Sequence, residues 1–317
     1  MTFYVAHRLF AAHDRALAAD LADRIGERVG PARVFLPFCD TDEEDLVAEV
    51  KGRRLFELDR ERLGHLDAMI AILHGPSLDD GVCMEIGYAA ASGAPVIVLS
   101  TDFQTYSMTG TGTHLEFPDP LLQHVATRIV RVAKLGPPSL PAPPGKTRFQ
   151  EFQARNLAQT NTALDATVDA LLDLPDRTCR PESTPTNISS PVYVEASPYT
   201  PQDRNHLAMT CVDAGHTVVV PQRFTAPDPL AGASADLAAV RSAGRLVADV
   251  SGPETPPGTA LLIGAALASG VQIAAFQPQS TFTHAHGREP NWRNLMIQYA
   301  ADAHLTNEEA VLSWLAA

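Results

Sequence analysis

The sequence predicts an α/β protein made of two doubly wound domains, each built on a parallel five-stranded sheet. The chain has 317 residues, of which 45% are hydrophobic, enough for two ordinary cores. Short apolar runs alternate with longer segments of helical period, which is typical of a parallel sheet covered by helices. The pattern of the first half then starts again in the second half, which indicates an internal repeat.

Five apolar runs in the first half are the predicted strands. They are Thr2–Ala6, Val34–Pro37, Ala68–Leu73, Pro95–Leu99 and Arg128–Val132. Between and after these runs, apolar residues at i, i+3 and i+4 indicate helices. The predicted helices are Asp14–Arg28, Glu43–Gly64, Val82–Ser92 and Thr147–Leu174.

A segment dense in Pro, Ser and Thr separates the two halves. Residues 175–190 contain almost no apolar side chains and therefore have the composition of a linker. We expect a first domain over residues 1–174 and a second over 191–317, packed together as a pseudo-twofold dimer within one chain.

The repeat is clearest where GVCMEIGYAAASG at Gly81–Gly93 aligns without a gap on GTALLIGAALASG at Gly258–Gly270, an offset of 258 − 81 = 177. Pro191–Ala196 also repeats Thr2–Ala6, and His216–Pro221 repeats Ala32–Pro37. A gapless register of three glycines, an isoleucine and a serine indicates a tandem duplication.

The two copies differ where chemistry is expected. In this register Glu85 aligns with Leu262 and Asp79 with Pro256, although the glycines that shape the turn and the helix are kept. The second copy therefore keeps the scaffold and has lost its acids, as expected of a structural or complementing half.

In the first copy, Asp79 lies in a turn before a helix, and Glu85 lies about one turn into it, near the positive end that keeps a carboxylate ionised. Ligands of open α/β sheets bind at the carboxyl ends of the strands, where this turn lies. The structural alternative is that Asp79 or Asp80 caps the helix and that Glu85 is an ordinary acid of the first turn. The apolar neighbours of Glu85 favour a functional role, because a charge is costly there without a task or a partner.

These residues resemble the nucleoside 2-deoxyribosyltransferases. The resemblance rests on Phe3-Tyr4-Val5-Ala6, Leu55-Phe56-Glu57-Leu58-Asp59, the element Asp79-x-Gly81-x-x-x-Glu85-x-Gly87-Tyr88-Ala89 and, in the second copy only, Asn294-Leu295-Met296. It covers most of the first copy and, more weakly, the second. It implies an enzyme that cleaves the N-glycosidic bond of nucleosides and transfers the sugar to another nucleobase, without a cofactor.

The resemblance also implies roles for single residues. Glu85 would be the nucleophile that forms a covalent glycosyl ester, and Asp79 would bind the base and help protonate its leaving nitrogen. Asp59 would contact the base or the sugar, and Tyr4 would orient Glu85 through its hydroxyl. In the alternative, Asp59 is a solvated charge and Tyr4 only packs.

Asn294 would reach the site of the other copy and bind the 5′ hydroxyl of the sugar, with Met296 packed beside it. The alternatives are a helix cap for Asn294 and a core filler for Met296. The first copy has no Asn-x-Met element in Thr101–Gly112. Each half thus supplies what the other lacks, and the resemblance implies one composite site per chain, made of Glu85 and Asp79 with Asn294 and Met296.

Composition and motif spacing disfavour several other classes of protein function. A net charge of −13 without a Lys/Arg cluster disfavours nucleic acids and anionic membranes as partners. No export signal and no membrane-spanning segment is expected. Cys39, Cys83, Cys179 and Cys211 have no CxxC spacing, as in a cytoplasmic protein with reduced thiols. No strand leads into GxGxxG, which disfavours a Rossmann-type dehydrogenase. No metal-ligand spacing is found among the 11 histidines, where His284 and His286 form one loop pair.

Two further functions remain open. A relative of the same fold would hydrolyse nucleosides or nucleoside 5′-monophosphates, and Arg8 and Arg293 are compatible with a phosphate. A non-catalytic nucleoside-binding protein is disfavoured because Glu85 and Asp79 are kept. The sequence does not specify the base, and a further homo-oligomer of the paired domains is compatible with it.

Overall fold

A computed structural model describes residues 2–40, 48–75, 77–136, 144–174, 191–196, 205–278 and 294–317. The predicted linker, residues 175–190, and the loop pair His284 and His286 lie outside these ranges. Among the described helices, none has the length and apolar character needed to cross a membrane.

The first half of the chain contains seven strands: β1 (Phe3–Ala6), β2 (Val34–Phe35), β3 (Ala68–Leu73), β4 (Val96–Ser100), β5 (Tyr106–Ser107), β6 (His114–Leu115) and β7 (Arg128–Arg131). Five of them form a parallel sheet in the order β2-β1-β3-β4-β7. Strands β5 and β6 form a separate antiparallel hairpin. The order confirms a doubly wound domain.

Helices cover both faces of this sheet: α1 (Ala12–Val29), α2 (Ala48–His65), α3 (Asp80–Ala91), α4 (Pro120–Val125) and α5 (Arg148–Leu172). Alternate residues of a strand point to opposite faces. Tyr4 and Ala6 therefore pack in the core that contains α3, whereas Phe3 and Val5 pack in the core that contains α1 and α5.

The second half repeats this architecture. Its strands are β8 (Val192–Glu195), β9 (Val218–Val219), β10 (Arg245–Asp249), β11 (Gln272–Phe276) and β12 (Ala303–Leu305), in the order β9-β8-β10-β11-β12. Its helices are α6 (His206–Asp213), α7 (Pro229–Ser242), α8 (Pro257–Ser269), α9 (Leu295–Ala300) and α10 (Glu308–Ala316). When the strands of each five-stranded sheet are numbered along the chain within that sheet, both sheets have the order 2-1-3-4-5.

The two halves pack through α3 and α8, which cross at glycines. A Cβ on Gly87 would collide with the carbonyl group of Leu261, and a Cβ on Gly264 would collide with that of Met84. The offsets 261 − 84 and 264 − 87 both equal 177, so the two contacts are reciprocal. Reciprocal contacts are the mark of a twofold interface, and they confirm the expected pseudo-dimer.

Within the described residues the predicted elements agree with the structure to within about two residues at each end, and β3 agrees at both ends. The predicted start of the second helix, Glu43, lies outside the described residues. Two features of the first half were missed: the β5–β6 hairpin and α4. Helix α4 has only six residues, too few for a helical period. Its signals are local: the Asp119 side chain accepts a hydrogen bond from the Leu121 N–H, and Pro120 occupies the first helical position.

Candidate active site

The predicted nucleophile lies inside the pseudo-dimer. Glu85 is the sixth residue of α3 and is 7% exposed. The hydroxyl of Tyr4, on β1, donates a hydrogen bond of 2.7 Å to Glu85 Oε1. The structure therefore brings Tyr4 and Glu85 together in a buried, directional contact.

The electrostatics of Glu85 differ from the expectation. Burial raises the pKa of its carboxyl group well above the ordinary value; the charges of Asp59 and Asp79 raise it further, and the Tyr4 hydrogen bond lowers it. Glu85 lies beyond the first turn of α3, where the helix N-terminus has little influence. The sequence led us to expect that the helix field favours the ionised carboxylate, whereas burial and the neighbouring acids raise the pKa of Glu85.

Asp79 is a helix cap, as the structural alternative expects, and its carboxyl group also has a raised pKa. It is the N-cap of α3, since its Oδ1 accepts a hydrogen bond of 2.9 Å from the Val82 N–H. Burial, followed by the charge of Asp80, raises the pKa of the Asp79 carboxyl group to about 7. Arg8 Nε lies 3.8 Å from Asp79 Oδ2 and opposes this shift. The cap therefore also holds a proton that can be given up near neutral pH.

Asp59 is a third acid of the pocket. It lies on α2 and is half-buried, whereas Glu57 and Arg62 on the same helix are exposed. Its charge raises the pKa values of both Glu85 and Tyr4. The structure therefore distinguishes Asp59 from its solvated neighbours and groups it with the buried acids.

The second half reaches this pocket through Asn294. Asn294 caps α9, and its Oδ1 accepts a hydrogen bond of 3.0 Å from the Met296 N–H. A Cβ on Gly81 would lie 2.7 Å from Asn294 Nδ2 and 3.2 Å from Asp79 Oδ1. The amide thus rests on the first turn of α3, beside Asp79. Met296 is 4% exposed and packs in the core shared by both halves. This position agrees with the alternative in which Met296 only fills the core.

The equivalent position in the second half is filled by a buried ion cluster that the sequence did not predict. The Arg223 side chain is fully buried. Its guanidinium contacts the carboxylates of Asp119, Glu195 and Asp236 at 3.1, 2.5 and 3.1 Å. Burial lowers the pKa of Arg223, but Asp119 and Glu195 raise it well above its ordinary value. The arginine therefore stays charged at the place where the first half has the candidate pocket of Glu85.

Asp119 is the counterpart of Asn294. Each caps a short helix by accepting a hydrogen bond from the N–H two residues on, at 2.9 Å for Asp119. A Cβ on Gly258 would collide with Asp119 Oδ2, just as a Cβ on Gly81 would meet Asn294. The first half thus has no Asn-x-Met element here, as expected, but it places Asp119 at the equivalent position, from a helix too short for the sequence to indicate.

The described residues contain one group of three side chains spaced closely enough to hold a metal ion, His13, Asp14 and His74. His74 directly follows β3, and His13 and Asp14 lie in the first turn of α1, which packs on the face of the sheet opposite α3. The group therefore lies outside the pocket of Glu85. The described pocket acids themselves form no such group.

The chain is similar to a known protein family and to solved structures. Residues 3–130 match the family model described as nucleoside 2-deoxyribosyltransferase. A conserved protein from Enterococcus faecalis V583 is 26% identical over 41% of this chain and 91% of its own, with a TM-score of 0.34. The flavoenzyme FerB, an NAD(P)H:(acceptor) oxidoreductase from Paracoccus denitrificans, is 16% identical over 53% of this chain and 94% of its own, with a TM-score of 0.25. No curated protein sequence matches the chain.

Proposed function

We propose, from the match of residues 3–130 to the nucleoside 2-deoxyribosyltransferase family model, that the protein transfers the sugar of a nucleoside to another nucleobase through a glycosyl ester on Glu85. The observation that carries the proposal is the buried Glu85 carboxyl group, which accepts a hydrogen bond of 2.7 Å from the Tyr4 hydroxyl. Asp79 lies at the N-cap of the same helix. A nucleophile and a proton donor with different environments are what this chemistry requires.

In the first half-reaction, a Glu85 oxygen attacks C1′ of the sugar and the bond from C1′ to the base nitrogen breaks. The electron pair stays on the base, whose nitrogen takes a proton from Asp79. In the second half-reaction, a nitrogen of the incoming base attacks C1′, the ester bond breaks, and the proton of that nitrogen passes to Asp79. The sugar keeps its anomeric configuration because it is displaced twice.

The competent form has Glu85 ionised and Asp79 protonated. A pKa of about 7 leaves Asp79 protonated in a large fraction of molecules at neutral pH. Because Glu85, Asp79 and Asp59 repel one another as anions, the pocket disfavours several negative charges at once. The Tyr4 hydroxyl favours the charge on Glu85, since its hydrogen bond lowers the pKa of that group.

The remaining residues bind the substrate. We propose that Asp59 contacts the base or the sugar, and that Asn294 donates to the 5′ hydroxyl, with Met296 supporting the Asn294 loop from the core. Asn294 Nδ2 supports this role, because it lies against Gly81 and beside Asp79. The active site is then shared by both halves of the chain.

We also propose that each chain has one active site and that the halves arose by tandem duplication. Their common strand order and the reciprocal glycine contacts support a duplication. Leu262 cannot act as a nucleophile at the position of Glu85, and the buried Arg223 cluster leaves no room for a sugar.

Hydrolysis is the second candidate, with water in place of the acceptor base. Arg8 favours an anionic substrate such as a nucleoside 5′-monophosphate, because its partly exposed guanidinium lies at the pocket and its Nη2 donates to the Ser77 carbonyl at 3.0 Å. The degree of water exclusion decides between transfer and hydrolysis.

Incubation with deoxyinosine, with and without adenine, separates these functions. Transfer produces deoxyadenosine only when adenine is present, whereas hydrolysis releases hypoxanthine with or without it. E85Q should be inactive in both assays because an amide is a poor nucleophile. E57Q, which changes an exposed glutamate of α2, should behave as wild type. Nucleoside binding without turnover in the wild type would instead indicate a non-catalytic binding protein.

A further inference from the structure

A second cluster of titratable groups lies at the carboxyl edge of the first sheet, on the face opposite Glu85. On β3, Ile70 and Ile72 pack in the core with α1 and α5, whereas Ala71 and Leu73 pack in the core with α3. The alternation of the strand directs the following residue, His74, toward α1. The cluster is therefore separated from the nucleoside pocket by the sheet itself.

The centre of this cluster is Asp14, in the first turn of α1. Its side chain is 2% exposed. Nε2 of His74 lies 2.9 Å from Asp14 Oδ1, and Nε2 of His13 lies 3.2 Å from the same oxygen. One ligand atom from each of the three residues lies within 4.8 Å of the other two.

The Asp14 carboxylate is buried without a hydrogen bond to either oxygen from the described residues. The two imidazole nitrogens are close, but neither approach has the alignment of a hydrogen bond. A buried carboxylate is costly unless its charge is compensated. Two imidazole nitrogens converge on one oxygen of this carboxylate, and a cation bound among the three atoms would compensate its charge.

We propose that His13, Asp14 and His74 bind a divalent first-row transition-metal ion, for which Zn²⁺ is the natural probe. Imidazole and carboxylate donors suit such ions. Ligand atoms about 2.0–2.2 Å from Zn²⁺ in tetrahedral geometry are separated by roughly 3.3–3.6 Å, so the observed 2.9 and 3.2 Å would each have to lengthen by a few tenths of an ångström. Three protein ligands leave a fourth position for water.

The surroundings provide a route and a consequence. The His13 side chain is 82% exposed, so an ion enters from solvent. His74 directly follows β3, and the chain reaches Asp79 five residues later. A bound ion would fasten the start of α1 to the segment that leads into the cap of α3. It would stabilise the position of Asp79 without touching the substrate.

Calorimetric titration of the chelator-treated, full-length protein with Zn²⁺ tests the proposal, and Co²⁺ provides a visible absorption spectrum of the ligand sphere. We expect one ion per chain. D14N, H74A and H13A should each weaken binding by more than about tenfold, since even indirect supports of metal ligands cost this much. H13A removes an exposed side chain, so it remains informative if D14N fails to fold.

H114A is the matched control. His114 Nε2 lies 3.1 Å from Glu116 Oε1 in an exposed pair that lacks a third ligand, so its loss should leave the affinity unchanged. E85Q should also bind the ion normally, which separates this proposal from the glycosyl-transfer mechanism. Absence of a one-to-one site, or an affinity that survives in both H13A and H74A, would overturn the proposal.

Discussion

At the scale of residues, the pocket is defined by acids whose environments differ. Glu85 is buried in an apolar helix and accepts a hydrogen bond from Tyr4, whereas Asp79 caps the same helix near the Arg8 guanidinium. The sequence predicted these residues through the Asp-x-Gly-x-x-x-Glu spacing. For the ionisation of Glu85 the sequence indicated only the helix field, because burial and the approach of Asp59 from another helix, which raise its pKa, depend on tertiary packing.

The Tyr4 hydrogen bond predicts a shift in the pH profile. Y4F removes the contact that lowers the pKa of Glu85, so Glu85 should ionise at higher pH. We expect the acid limb of kcat/KM to move to higher pH, and the loss of activity to be larger in acid than in alkali. Y106F, in the β5–β6 hairpin, is the control and should leave the limb in place. An unchanged acid limb in Y4F would argue against Glu85 as the group that must ionise.

Asp79 predicts a pH-dependent change of stability. Its carboxyl pKa rises from an ordinary 3.8 to about 7 in the folded protein, so the folded state holds this proton more tightly than the unfolded chain. Below about pH 4, Asp79 is protonated in both states and does not lower the free energy of unfolding. As the pH rises from about 4 to about 7, the ionisation of Asp79 in the unfolded chain lowers the free energy of unfolding progressively, and above about pH 7 it lowers it no further. D79N keeps an N-cap oxygen and removes this cost, which is at most about 4 kcal/mol from a shift of about three units.

Denaturant unfolding of D79N and wild type at pH 4 and pH 8 measures this effect. The free energy of unfolding of D79N should gain on that of wild type as the pH rises. D23N, which changes an exposed residue of α1, should show no such trend. A D79N advantage that is equal at both pH values would show that Asp79 does not hold its proton in the folded state.

At the scale of elements, the helix pair α3 and α8 both joins the halves and positions the site. The apolar runs and the glycine spacing were enough to predict both helices and their equivalence. The hairpin β5–β6 and the short α4 were missed because two-residue strands and a six-residue helix carry no period. Asp119 and Arg223 were missed for a related reason: their contacts join segments that are far apart in sequence.

The helix crossing predicts that G264A is severe. A Cβ on Gly264 would overlap the Met84 carbonyl, and backbone atoms of a packed helix cannot yield as a flexible side chain can. We expect a loss of stability of at least about 3 kcal/mol, measured by denaturant unfolding, and a loss of activity as Asn294 leaves Gly81.

G64A is the matched control for this substitution. Gly64 also lies in a helix, but its Cβ would meet only the Tyr88 hydroxyl at 3.8 Å. This alanine should be neutral or stabilising by up to about 1 kcal/mol. Equal stabilities of G264A and G64A would contradict the close contact between the halves.

At the scale of the whole molecule, the two halves carry different side chains in equivalent regions. One pocket keeps its acids and receives Asn294 from the other half. The second pocket is closed by Arg223, which links Asp119 of the first half to Glu195 and Asp236 of the second. Asp119, the counterpart of Asn294, is thus part of an ion cluster that joins the two halves.

The shared site predicts that N294S impairs turnover at long range in sequence. A serine keeps the helix cap but loses the amide that would bind the sugar. We expect kcat/KM to fall roughly 5-fold to 150-fold, because a hydrogen bond left unmade by a buried hydroxyl costs on the order of 1–3 kcal/mol. N307S alters the cap of α10, where Asn307 accepts from the Ala310 N–H, and should leave kcat/KM unchanged. Equal effects of N294S and N307S on kcat/KM would indicate that Asn294 acts only as a helix cap.

The most direct test of the composite site is the number and position of covalent adducts formed with a 2-fluoro-arabino nucleoside. Intact-mass spectrometry followed by peptide mapping should find one adduct per chain, on Glu85, and none in E85Q. The adduct should form more slowly in N294S than in N307S. Two adducts per chain, an adduct on another residue, or full activity from residues 1–174 alone would contradict a single active site shared by the two halves.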